Sequence, residues 1–122
     1  VDQMIKQRND NFQLFKQLLE SKTWFPKEQS DSFTASFCIP VIFKTKENRE
    51  KAIKEFQENN IEVRPLICGG MNHQPMFIKR YGKIKLPNVD KIFEIGIYVP
   101  NHPHLELCDI KRICDIIIKN DQ

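Results

Sequence analysis

Apolar side chains recur at the spacing of an amphipathic helix at both ends of this chain. Between those ends they gather into short runs of β-branched and aromatic residues. A sequence with that alternation lays helices on a sheet. Met4, Ile5, Phe12, Phe15, Leu18 and Leu19, with Lys, Gln, Asn and Glu between them, predict a helix over about residues 2–20. Trp24-Phe25-Pro26 ends it, and Lys27 to Ser32 reads as a polar loop. Leu105, Ile110, Ile113, Ile116 and Ile117 predict a last helix over about residues 104–119. Phe33 to Phe43 reads as a strand, with Pro40 pointing to a sheet edge or a bulge. Lys44 to Asn60 reads as a surface helix, capped by Thr45 and stopped by Asn59-Asn60. Ile61 to Cys68 is a short strand broken by Pro65, so strand, helix and strand make one crossover unit. Residues 69–91 are less regular, with a helical turn around Pro75 to Arg80 and a loop through Gly82 and Pro87-Asn88. Ile92 to Val99 reads as a third strand. The expectation is an α+β (mixed α/β) domain over residues 1–122: a small sheet of three or more strands, covered by about three helices in two layers.

Composition supports one such domain. The chain has 122 residues, 40% of them hydrophobic, enough to fill a core. Nineteen basic and 16 acidic side chains leave +3, with the signs interspersed, so no basic face calls for nucleic acid. No apolar run approaches the roughly 18 residues that span a bilayer, and no membrane partner is expected. The opening Val1-Asp2-Gln3-Met4 has neither a start methionine nor a signal-peptide hydrophobic region, and reads as an excerpt of a longer chain. Cys38, Cys68, Cys108 and Cys114 form no CxxC pair and no zinc spacing with the three histidines, so no metal site is expected. Three of them lie in apolar stretches and read as reduced core thiols of a cytosolic protein.

Three segments stand out chemically. In Ile61-Glu62-Val63-Arg64-Pro65, running on to Cys68-Gly69-Gly70, an arginine at a strand end offers a planar fork of donors for a carboxylate or phosphate. The glycines allow a sharp turn and close approach. A surface arginine followed by a turn accounts for the same residues. Met71-Asn72-His73-Gln74-Pro75 gathers neutral amides and an imidazole, which suit sugar hydroxyls as well as they suit a solvated loop. In Tyr98-Val99-Pro100-Asn101-His102-Pro103-His104, prolines stiffen a loop after a strand. His102 there is a candidate hydrogen-bonding or acid–base group, or part of a plain strand-to-helix connection capped by His104 or a neighbour.

No GxSxG, P-loop, Rossmann glycine signature or HExxH occurs, and nearly all the lysines lie in polar, helical or loop surroundings that give no desolvation for Schiff-base work. Taken in order, Arg8-Asn9, Ile61-Glu62-Val63-Arg64-Pro65, Gly69-Gly70, Gln74-Pro75, Leu86-Pro87-Asn88-Val89-Asp90 and Gly96-Ile97-Tyr98-Val99-Pro100-Asn101-His102-Pro103 resemble the C-terminal small domain of the DegT/DnrJ/EryC1/StrS family. These are fold-type I pyridoxal-phosphate enzymes acting on nucleotide-linked keto sugars. The resemblance implies a homodimeric cytoplasmic enzyme. Its large domain, upstream of this segment, holds pyridoxal or pyridoxamine phosphate and the Schiff-base lysine, or the histidine that replaces it in the sugar 3-dehydratase branch. No catalytic residue then lies in the segment itself, which on its own is expected to be inactive. Arg64 matches the arginine of the family's I-E-x-R-P strand, and Asn101-His102 the N-H after the last strand. Gly70 departs from the Gly-Asn of many relatives and loses an amide there. The substrate-binding residues implied are Arg64, His73, Gln74, Asn101 and His102, with Gly69, Gly70 and Asn72 in a loop near the active site. The activity implied is sugar aminotransfer from an amino-acid donor such as glutamate, making amino-deoxy sugars for a glycan. The alternatives are a pyridoxamine-phosphate-dependent sugar 3-dehydratase and a non-catalytic sugar-binding or interaction domain.

Overall fold

A computed structural model of the chain describes residues 1–66 and 69–122. Among them are five α-helices, a 3₁₀ turn and a three-stranded sheet, an α+β fold. Helix α1 (Asp2–Leu19) buries Phe12, Phe15 and Leu19 along one stripe, as its spacing requires. Strand β1 covers Cys38–Ile42, and helix α2 (Lys46–Glu58) starts where the Thr45 hydroxyl accepts the Asn48 N–H at 3.1 Å. Asn59 caps the other end of α2, and Asn60 takes φ 56°, a left-handed turn that asparagine tolerates. Strand β2 is only Arg64–Pro65. The 3₁₀ turn Met71–His73 leads into α3 (Pro75–Tyr81) and α4 (Pro87–Ile95), and β3 (Gly96–Pro100) follows α4 directly. Helix α5 (Leu107–Asn120) closes the fold.

The sheet order is β1-β3-β2, with both edge strands antiparallel to β3 and therefore parallel to each other. The β1-α2-β2 crossover thus leaves a gap that β3 fills. In the β1–β3 register Ile39 pairs with Val99 and Val41 with Ile97. These four side chains share one face with Phe43 and pack against Phe15 of α1, Ala52 and Phe56 of α2, and the isoleucines of α5. Two layers result, with the core between them. Bonds from Phe43 N to the Ile95 carbonyl and from Asn101 N to the Phe37 carbonyl make the odd-numbered β1 positions the hydrogen-bonded ones. Pro40 therefore lies at a non-bonded position of an edge strand, where its missing N–H is not needed.

Several expectations are corrected. Phe33 to Phe37 is not strand, and Phe33 and Phe37 stay exposed. Ile92 to Ile95 is helix, not strand: Pro87 takes the first position of α4, where a proline loses nothing. Gly96 allows the abrupt change to β3, since a Cβ there would meet the Ile92 carbonyl oxygen at 2.6 Å. The helices accordingly number more than three. The cap of α5 is Glu106, the neighbour two residues beyond His104, closed by a reciprocal bond from Glu106 N to the Asp109 carboxylate at 2.9 Å. Cys38 and Cys114 are buried, whereas Cys108 is exposed. Cys68 and the end of the expected second strand lie outside the described residues. Among the described residues no helix is long and apolar enough to cross a membrane.

Candidate functional site

The irregular stretch after β2 folds around a single carboxylate. Asp90, in the first turn of α4, accepts from Asn72 Nδ2 at 2.7 Å and from Leu86 N at 3.2 Å. Its Oδ1 also lies 2.7 Å from His73 Nε2. Asn72 Nδ2 further reaches the Ile84 carbonyl at 3.1 Å, tying the 3₁₀ turn to the segment before α4. Asn72 above all, with His73 and the Leu86 N–H, holds the Asp90 carboxyl below the usual carboxylate range, against an opposing effect of burial.

The His73 ring stacks on Phe93, with centroids 4.6 Å apart and planes 14° from parallel. With Nε2 turned to the carboxylate, Nδ1 is left for a second partner. Gly69 and Gly70 fit closely over this stack. Both have positive φ, 68° and 113°, and a Cβ would strike the Phe93 ring at 2.5 Å from Gly69 and the His73 ring at 2.9 Å from Gly70. The buried Asn72 Oδ1 has no hydrogen-bond partner among the described residues and lies 3.1 Å from where a Gly70 Cβ would be.

The structure thus brings together Gly69, Gly70, Asn72 and His73. They adjoin a groove of about 660 Å³ lined by Lys46, Arg49, Pro65, His73, Asp90 and Phe93, among others. Gln74 is half-buried at the cap of α3, its carbonyl accepting Ile78 N at 3.0 Å. Arg64 is exposed on edge strand β2, paired with Glu62, and lines an adjoining hollow of about 270 Å³. The two hollows share Arg49 and Pro65.

Asn101 and His102 are not part of this group. They follow the far end of β3, about 17 Å of strand from its junction with α4. Asn101 is fully buried, and its Nδ2 donates to the carbonyls of Arg8 at 3.0 Å and Ser36 at 2.8 Å. That is a strut between α1 and the sheet, with no face open to a ligand. His102 is exposed, its Nδ1 accepting the His104 N–H at 3.2 Å and its carbonyl accepting Asn11 Nδ2 at 3.0 Å. Sequence reasoning missed Asp90, Phe93 and Arg49. Asp90 lay within a quoted motif, but only the closure of α4 onto the 3₁₀ turn makes it a hub.

The sequence signature of the DegT/DnrJ/EryC1/StrS aminotransferase family matches residues 1–118. The chain belongs to this family. The lipopolysaccharide biosynthesis protein RfbH of Salmonella typhimurium is 34% identical over 109 residues, covering 80% of this chain and 25% of that protein. The GDP-perosamine synthase of Escherichia coli is 25% identical over 117 residues, covering 96% and 31%. An aminotransferase of the family from Brucella abortus superposes with a TM-score of 0.81 at 18% identity, covering 97% of this chain and 31% of its own. The E. coli GDP-4-keto-6-deoxy-D-mannose-3-dehydratase gives 0.79 at 17% identity, covering 95% and 31%. The fold is therefore shared with an aminotransferase and with a dehydratase. The chain spans about a quarter to a third of the length of these relatives.

Proposed function

We propose that this chain is the C-terminal small domain of a pyridoxal-phosphate-dependent, homodimeric sugar aminotransferase that acts on a nucleotide-linked keto sugar. The reading rests on the family match over residues 1–118 together with the glycine-covered His73–Asp90 groove. None of the chain's lysines is buried, and a Schiff-base lysine draws its reactivity from desolvation. The cofactor, which supplies the electron sink for amino transfer when bound, belongs on this view to a domain outside these residues.

What this chain offers is a binding wall. Asn72 and Asp90 hold His73 in one orientation, with Phe93 behind the ring, so an incoming hydroxyl meets a fixed acceptor or donor rather than a mobile side chain. Arg64, exposed and paired with Glu62, would exchange that partner for a carboxylate or phosphate at the edge of the adjoining hollow. His102, at the other end of β3, serves the site only if a second subunit or domain reaches it. Asn101 contributes by holding that loop.

The test is an assay of the longer protein that carries these residues, with glutamate as donor and a nucleotide-linked 4-keto sugar as acceptor. Amino transfer is expected, with His73→Ala and Arg64→Ala lowering kcat/KM while the melting temperature hardly moves. Loss of the 3-hydroxyl without amine incorporation identifies the dehydratase branch instead, and a histidine at the Schiff-base position would accompany it. A longer protein that shows no cofactor absorbance and neither reaction leaves only a non-catalytic sugar-binding or interaction domain.

A further inference from the structure

The groove has a second wall, of opposite charge to Asp90. Lys46 and Arg49 of α2 face it together with Lys91 of α4. Arg49 is half-buried where α2 meets the α4–β3 corner, and its Nε donates to the Gly96 carbonyl at 3.2 Å. That bond fixes the guanidinium plane while using one of its five N–H donors. Among the described residues no carboxylate lies within ion-pair distance of Arg49. Of the two acidic residues lining the groove, Asp90 is already committed to Asn72, His73 and Leu86, and Glu94 is exposed. Arg49 also stands on the ridge between this groove and the Arg64 hollow, lining both. A guanidinium that is oriented, partly desolvated and unmatched by a carboxylate is suited to a bidentate oxyanion.

We propose that Arg49, flanked by Lys46 and Lys91, is the oxyanion-binding residue of the groove and selects small molecules that bear a phosphate or carboxylate there. The inference rests on the reading of this groove as substrate-facing and adds a residue that sets specificity. The lysines supply point charges on both sides of a planar fork, an arrangement that favours two linked phosphates over a single carboxylate.

The experiment is a calorimetric and NMR titration of the chain at constant ionic strength, with inorganic pyrophosphate in one arm and malonate in the other. Wild type, Arg49→Lys, Arg49→Gln, Lys91→Gln and Lys6→Gln are compared, and each is first checked for its folded spectrum and melting temperature. Saturable pyrophosphate binding is expected, weakened about tenfold in Arg49→Gln and about threefold in Lys91→Gln, and unchanged in Lys6→Gln on distant α1. Arg49→Lys keeps the charge but loses the fork, so it should fall between wild type and Arg49→Gln. A merely structural Arg49 would lower the melting temperature of its variants and leave the anion affinity of the folded fraction intact, which overturns the proposal. Lys91→Gln is exposed and keeps the test alive if the Arg49 variants fail to fold. Preference for malonate with the same variant pattern supports the site and names a carboxylate as its ligand. Absence of saturable binding in wild type, or equal weakening in Lys6→Gln, rejects it. An inactive longer protein would defeat the enzymatic reading without touching this titration, and an active one that shows no anion binding here would remove Arg49 alone.

Discussion

The layer built from α1, α2 and α5 and the stretch from Gly69 to Ile95 spend their apolar residues in opposite ways. In the first, Phe12, Phe15, Leu19, Phe56, Ile110 and Ile117 vanish beneath the sheet. In the second, α3 buries nothing and α4 buries only Ile95, while Met76, Tyr81, Ile84, Leu86 and Ile92 remain exposed. The order of that second region comes instead from polar convergence on Asp90 and from the His73–Phe93 stack. One region is ordered by apolar burial, and the other by polar contacts and a ring stack near the surface. Contact surfaces are commonly drawn from parts of a fold that contribute little to global stability.

The contrast is broken most directly by truncation in the core. Phe15→Ala should cost about 3–5 kcal/mol in urea unfolding, the range for a buried aromatic, whereas Phe93→Ala should stay below about 1 kcal/mol. Equal losses would abolish the distinction. Next in size is Asn101→Ala, which strands the Arg8 and Ser36 carbonyls and should cost about 1–3 kcal/mol by the same measurement. A neutral result would mean water replaces the amide. Gly69→Ala should cost about 1–2 kcal/mol through its left-handed backbone and the Phe93 clash, part of it recovered in the Gly69→Ala/Phe93→Ala double variant.

The smallest effects concern titration and labelling. Because the Asp90 carboxyl is held below its usual range, it favours the native state above the unfolded carboxyl's pKa, and that contribution disappears as pH falls through the lower native value. Asp90→Asn should therefore flatten the loss of melting temperature below about pH 4 and lower it slightly at neutral pH. An unchanged acid limb would show that the carboxylate contributes nothing. Burial, with Asp115 nearby, pushes the Cys114 thiol up to about 12. At about pH 8 iodoacetamide should modify exposed Cys108 and reach Cys114 only as fast as the chain opens.

The helices of the stable region were legible because Phe12, Phe15 and Leu19, or Ile110, Ile113 and Ile117, repeat with a clear period. In the other region Ile92-Phe93-Glu94-Ile95 runs straight into Ile97-Tyr98-Val99, and β-branched composition hides the change from helix to strand. Only Pro87 at the start and Gly96 at the end mark it, and by themselves these residues fit a loop and a strand interior equally well. The grouping of Gly69, Gly70, Asn72 and His73 followed from their nearness in sequence. Asn101 looked like a ligand residue because a stiff loop can present or bury an amide equally well, and packing against Arg8 and Ser36 decided for burial. Arg49 gave no signal, since its role depends on a carbonyl 47 residues away.

The sheet order carries a consequence for synthesis. The middle strand is the last of the three to leave the ribosome, so Cys38–Ile42 and Arg64–Pro65 emerge with no neighbour to bond. A nascent chain halted before Gly96 would display two open edges and an uncovered face of α2, a species that invites chaperones and aggregation alike. The sheet before that point waits for the five residues of β3, and the core for α5 behind them.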